Sequence, residues 1–106
     1  MKLSLVIHSN DPETVWNAIR LGIHALGKED SVKIFLLGKG VEIEALDSEH
    51  FNITEKMRAF VDQGGELLAC GTCLKLRNRQ GSDICPLSTM DDLYQLMSES
   101  DRVLTF

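Results

Sequence analysis

The chain has 106 residues, a formal net charge of -5 at pH 7, 43% hydrophobic residues and 25% charged residues. That length suits one compact domain over residues 1-106, and the ordinary apolar content is enough for a modest core. The acidic balance argues against a nucleic-acid partner, whose phosphates demand a basic face, and no stretch approaches the roughly 20 apolar residues of a membrane helix.

Leu3, Leu5, Val6 and Ile7 form a short apolar run that reads as a buried strand, and His8, Asn10, Asp11 and Glu13 interrupt it too soon for a secretory leader. Asp11-Pro12 has the form of an N-cap followed by proline at the first helical position. Val15, Ile19, Gly22, Ile23 and Leu26 then recur at helical spacing, with Gly27 as the stop. Val32, Ile34, Phe35, Leu36 and Leu37 make a second strand that ends at Gly38-Lys39-Gly40. Residues 41-52 alternate at Val41, Ile43 and Ala45 without resolving into one element. Asn52 with Glu55 resembles a capping box for a helix bearing Met57, Phe60 and Val61, which ends at Gly64-Gly65.

Glu66 to Cys70 reads as a third strand, after which Thr72 is placed to cap a short helix reaching about Arg77. Residues 78-87 are polar and loop-like. Ser88 with Asp91 begins a helix carrying Met90, Leu93, Tyr94, Leu96 and Met97, and Arg102 to Phe106 closes the chain as a strand. Strands alternating with helices of this length predict an α/β fold, a mostly parallel sheet of about five strands flanked by helices.

Functional sites of open parallel sheets lie beyond the carboxyl ends of the strands. Those ends carry His8-Ser9-Asn10, Gly38-Lys39-Gly40 and Cys70-Gly71-Thr72-Cys73. A cysteine between a strand and a helix meets unpaired backbone N–H groups and the positive end of the helix dipole, both of which favour thiolate. Gly71 permits a tight turn, and the amides of Gly71 and Thr72 are placed to hold a persulfide, which is also an anion. Cys70 alone would also fit as a small buried apolar residue. With Cys73 it has dithiol spacing, so that Cys73 can resolve an oxidised Cys70.

Three cysteines, two of them only three positions apart, make a poor disulfide framework and fit a reducing, cytoplasmic setting. Cys85 lies twelve residues after Cys73 and with His8 would complete three sulfurs and one nitrogen. No second Cys-x-x-Cys or paired histidine supports such a centre, so neither metal nor cofactor is expected. Cys85 is otherwise an incidental loop thiol or a second sulfur acceptor. His8 is a candidate to tune a thiol, Asn10 lies on the same edge, and Lys39 is a candidate to attract an anion. Trp16 reads as core or interface, and Glu42, Glu44, Asp47 and Glu49 read as a solvated acidic face.

The N-terminal strand, Trp16-Asn-Ala-Ile-Arg-Leu21, Phe35-Leu-Leu-Gly-Lys-Gly-Val41, Leu68-Ala-Cys-Gly-Thr-Cys-Leu-Lys75 and Ser88-Thr-Met-Asp-Asp-Leu93 together resemble the DsrE/DsrF-like family, with its TusD-type sulfur-relay proteins. The resemblance spans nearly the whole chain. It implies a small α/β sulfurtransferase-like subunit, assembled as a homotrimer or homohexamer. It further implies a cysteine after the third strand, here Cys70, that takes sulfur as a persulfide from a donor protein or small thiol and passes it to an acceptor. Cys73 stands where relay subunits commonly have a small residue, which leaves room for a thiol-disulfide or redox-sensing role. A non-catalytic assembly or ligand-binding module is the third reading.

Overall fold

A computed structural model describes residues 1-106. Five strands, β1 (Lys2–Ile7), β2 (Ser31–Leu36), β3 (Glu66–Cys70), β4 (Leu87–Ser88) and β5 (Arg102–Thr105), form one sheet in the order β4-β3-β2-β1-β5. Every pairing is parallel. The helices are α1 (Pro12–Gly27), α2 (Ile53–Asp62), α3 (Gly71–Leu76) and α4 (Met90–Glu99), and a 3₁₀ segment spans Gly38–Ala45.

The helix starts follow from local chemistry. Asp11 accepts the Thr14 N–H at 2.9 Å with Pro12 opening α1, and Asn52 accepts the Glu55 N–H at 3.0 Å at the start of α2. These side chains satisfy donors that the first helical turn leaves unpaired. In α1, Val15, Ala18, Ile19, Gly22 and Ala25 are buried, one face of a 3.6-residue repeat. A Cβ on Gly22 would lie 3.0 Å from the Phe60 ring and 3.5 Å from Ile34 Cδ1, so α1, α2 and β2 meet there. With Leu5, Ile7, Leu36 and Leu67 they make the main core. Full burial of each such large side chain stabilises the fold by roughly 1.5–3 kcal/mol.

The opposite sheet face is covered by α4, where Leu93 and Leu96 are buried and the hydroxyls of Ser4 and Ser100 meet at 2.5 Å. The central strands are therefore covered on both sides, which explains their nearly continuous apolar runs.

One open segment resolves and three local readings need correction. The alternation at Val41 and Ile43, unassigned from sequence alone, belongs to the 3₁₀ segment, whose buried side chains are those two. The loop reading of 78-87 conceals half of β4, a strand of only two residues. The fourth helix begins at Met90 behind Thr89, which with Asp92 forms the reciprocal capping box, one residue beyond the Ser88–Asp91 reading. The short helix after β3 is capped by the Cys70 sulfur instead of by Thr72.

Candidate functional site

The sulfur of Cys70 accepts the backbone N–H of Cys73 at 3.4 Å. This is an N-cap geometry, with a thiol in the place usually taken by a hydroxyl or carboxylate. Gly71 runs close to β4: a Cβ there would stand 3.3 Å from the Ser88 carbonyl oxygen, a tight contact that would ask that strand to give by a few tenths of an ångström. Thr72 is exposed, and its backbone N–H also favours the Cys70 thiolate.

Cys73 is half-buried, and its sulfur accepts the Gly38 N–H at 3.3 Å. Gly38 takes a left-handed conformation, φ +57°, as the chain leaves β2. Two residues on, a Cβ at Gly40 would overlap the carbonyl oxygen of Ile7 at the end of β1. The ends of β1, β2 and β3 thus come together on one edge, as the strand–helix alternation implies.

Behind the cysteines lies a polar network. Arg77 Nε donates to Glu42 Oε2 at 2.7 Å, and Arg77 Nη1 donates to the Cys73 carbonyl oxygen at 3.1 Å. Asn10 Nδ2 donates to Glu42 Oε1 at 3.4 Å. Both charged partners are half-buried, and Arg77 holds the Glu42 carboxyl below its usual range, with a smaller contribution from Asn10. The pair ties the end of α3 to the 3₁₀ segment and to the loop after β1.

Burial pushes the Cys70 thiol up from its ordinary value, and the bond from the Cys73 amide opposes that shift without cancelling it. The sequence led to the opposite expectation. Cys70 is only 5% exposed, and α3 has only six residues, so its dipole is small while desolvation of the anion is large. Cys85 is buried as well, and its thiol is pushed up to about 12, by burial first and then by the neighbouring Glu44 carboxylate.

The structure brings Cys70, Gly71, Thr72, Cys73 and, through Glu42, Asn10 into one neighbourhood. His8 and Lys39 lie on the same edge but are exposed, and no side-chain hydrogen bond joins them to the cysteines. Cys85 is buried in the loop before β4 as part of the same core as Cys70, and no hydrogen bond joins its sulfur to Cys70 or Cys73. No three of the His, Cys, Asp and Glu side chains come together as metal ligands would, so the three-sulfur, one-nitrogen set is not assembled.

Glu42 and Arg77 are the site residues missed in the sequence. The signal was present but weak: Arg77 follows Cys73 by four residues, hence on the same helix face, and Glu42 stands between buried Val41 and Ile43. The acidic stretch is accordingly no mere solvated face. Glu42 pairs with Arg77, Glu44 accepts from the Ser82 hydroxyl at 2.7 Å, and Asp47 accepts the Thr54 N–H at 2.9 Å.

The sequence profile described as the DsrE/DsrF-like family matches residues 1–106. Two curated relatives are each 35% identical over 100 residues. Uncharacterized protein MJ0989 of Methanocaldococcus jannaschii aligns with 89% of this chain and 88% of its own, and uncharacterized protein MK0008 of Methanopyrus kandleri with 89% and 83%. Among solved structures, the YchN protein of E. coli superposes with a TM-score of 0.85 at 24% identity, covering 100% of both chains. That likeness shows a common fold.

Proposed function

Since the chain belongs to the DsrE/DsrF-like family, we propose that it is a sulfur-relay subunit that carries a persulfide on Cys70. The observation that carries this reading is the bond from the Cys73 amide to the Cys70 sulfur at the start of α3, on the edge where three strand ends meet. In this reading the Cys70 thiolate attacks the outer sulfur of a donor persulfide, and the donor thiolate leaves. The new persulfide extends the anion by one atom, and the Thr72 and Cys73 amides favour its charge as they favour the parent thiolate. An acceptor thiolate then removes the outer sulfur. Intact-mass measurement after exposure to a persulfide donor should show one added sulfur in the wild type and none in Cys70→Ser; absence of the adduct in the wild type overturns the reading.

A second reading is favoured by the contact of the Cys73 backbone N–H with the Cys70 sulfur, which keeps the two residues adjacent at the start of α3: the two thiols act as a dithiol–disulfide pair, with Cys73 also releasing sulfur from a Cys70 persulfide. Mild oxidant should then give an intramolecular disulfide that Cys73→Ser abolishes.

We place the subunit in the cytoplasm as a homotrimer or homohexamer. Supporting assembly, Met90, Tyr94 and Met97 are 61%, 76% and 47% exposed along one side of α4, an unpartnered apolar stripe. Tyr94→Glu with Met97→Glu should lower the sedimentation mass; a monomeric wild type contradicts the assembly.

A further inference from the structure

Beside Gly71 the surface opens into a cleft of about 430 Å³, lined by Gly71, Lys75, Asn78, Arg79, Gln80 and Leu87. Its size falls within the roughly 300–1,000 Å³ range of small-molecule sites. Its chemistry runs against that of the chain as a whole. The protein carries a net charge of -5, yet this lining holds two cations, two side-chain amides and no carboxylate. Neither cation is held in a close ion pair: those of the chain are Met1–Asp30, Lys33–Glu66 and Arg77–Glu42, and Arg79 acts on Glu42 only as a weaker, longer-range charge. The turn that ends α3 places both. Asn78 takes a left-handed conformation, φ +54°, and the Arg79 N–H returns to the Leu74 carbonyl at 2.9 Å. The chain therefore reverses and leaves Arg79 on the cleft that Lys75 also lines. Gly71, which follows Cys70 directly in the chain, forms part of the wall.

We propose that this cleft binds the carboxylates of a low-molecular-weight thiol persulfide, the small-molecule class that delivers sulfur to Cys70. The inference rests on the reading of Cys70 as a persulfide carrier and adds the identity of the donor class. Lys75 and Arg79 hold the anionic part of the donor, Asn78 and Gln80 offer amide hydrogen bonds, and the sulfur end lies toward Gly71. The Cys70 thiolate attacks the outer sulfur of R–S–S–H, the donor S–S bond breaks with its electron pair leaving on R–S⁻, and Cys70–S–S–H forms. The R–S⁻ group takes up the proton that Cys70 released, so the exchange needs no oxidant or reductant.

The test uses glutathione persulfide and its diethyl ester, which share the outer sulfur and the leaving thiol but differ in carboxylate charge. Sulfur loading on Cys70 is followed by intact mass in the wild type and in Lys75→Gln/Arg79→Gln. The ratio of acid to ester rates is taken within each protein, so that a general loss of reactivity cancels. The wild type should favour the acid, added salt should reduce that preference, and the double variant should lower the ratio roughly tenfold, the effect of losing two partly exposed charge contacts. An unchanged ratio in the variant, with sulfur still loading on Cys70, overturns the cleft while leaving the carrier standing. No loading from either donor in the wild type overturns both.

Discussion

Cys70 and Cys73 are joined by a 3.4 Å contact in which the sulfur of the first accepts the backbone N–H of the second. The residue proposed to do chemistry is therefore also the residue that caps the helix carrying its neighbour. Structure and reactivity are coupled at one atom: whatever modifies the Cys70 sulfur also perturbs the first turn of α3.

That coupling separates two substitutions of Cys70. Serine retains a side-chain acceptor for the Cys73 N–H, whereas alanine leaves that donor without one. Cys70→Ser should be more stable than Cys70→Ala by roughly 1 kcal/mol in urea unfolding, the usual worth of an N-cap. Equal midpoints would mean that the thiol cap contributes nothing.

The reactivity of Cys70 should depend on pH in the sense set by burial. Its thiol is pushed above the ordinary value of 9.0, so the thiolate fraction at neutral pH is small and keeps growing through and beyond that range. Alkylation of Cys70, read by peptide mass in a Cys73→Ser background, should accelerate steadily with pH and show no plateau below 9.0. A plateau near neutrality would show that the amide bonds outweigh desolvation.

The Glu42–Arg77 pair should govern how firmly Cys73 is held. Arg77→Ala removes both the pairing with Glu42 and the bond to the Cys73 carbonyl, and the half-buried Cys73 should then alkylate severalfold faster. Arg77→Lys, which keeps the charge but loses the planar fork, should restore only part of the protection. On acidification, Glu42 has a folded pKa held below its unfolded value of 4.5, so its pairing contributes fully above that value and is lost as pH falls through the depressed one. Cys73 protection should fade in that lower window in the wild type and be absent from it in Glu42→Gln.

Cys85 makes the protein sensitive to base. Its folded pKa of about 12 exceeds the unfolded 9.0, so stability is fully present below 9.0 and declines as pH rises toward 12. Over that interval the loss is on the order of a few kcal/mol. Cys85→Ala should flatten the fall in the urea midpoint above pH 9.0 relative to wild type. Parallel curves would assign the base sensitivity to other groups.

The cysteines and the strand ends that surround them were legible from residues alone. Asp11-Pro12 marks the start of α1, Asn52 marks that of α2, and the apolar runs at Leu3–Ile7, Val32–Leu36 and Leu67–Cys70 mark three strands. β4 was not legible, because two residues are too few to display an alternation, and its existence depends on β3 offering a free edge. The 3₁₀ segment stayed unresolved for a related reason: Val41 and Ile43 are both buried at a spacing of two, the period of a strand, within a helical segment.

The order of elements and the Cys-x-x-Cys pair at a strand-to-helix junction can be read from residues alone, because periodicity and capping are local properties of neighbouring residues. The environment of Cys70 depends on how distant segments pack around it. Burial is a sum over segments far apart in the chain, and it pushes up the Cys70 thiol that local geometry alone would acidify. The same assembly brings Glu42 to Arg77 across 35 positions and leaves Lys75 and Arg79 unpaired beside Gly71. Charge pairing and desolvation depend on distance in space, which no local pattern along the chain encodes.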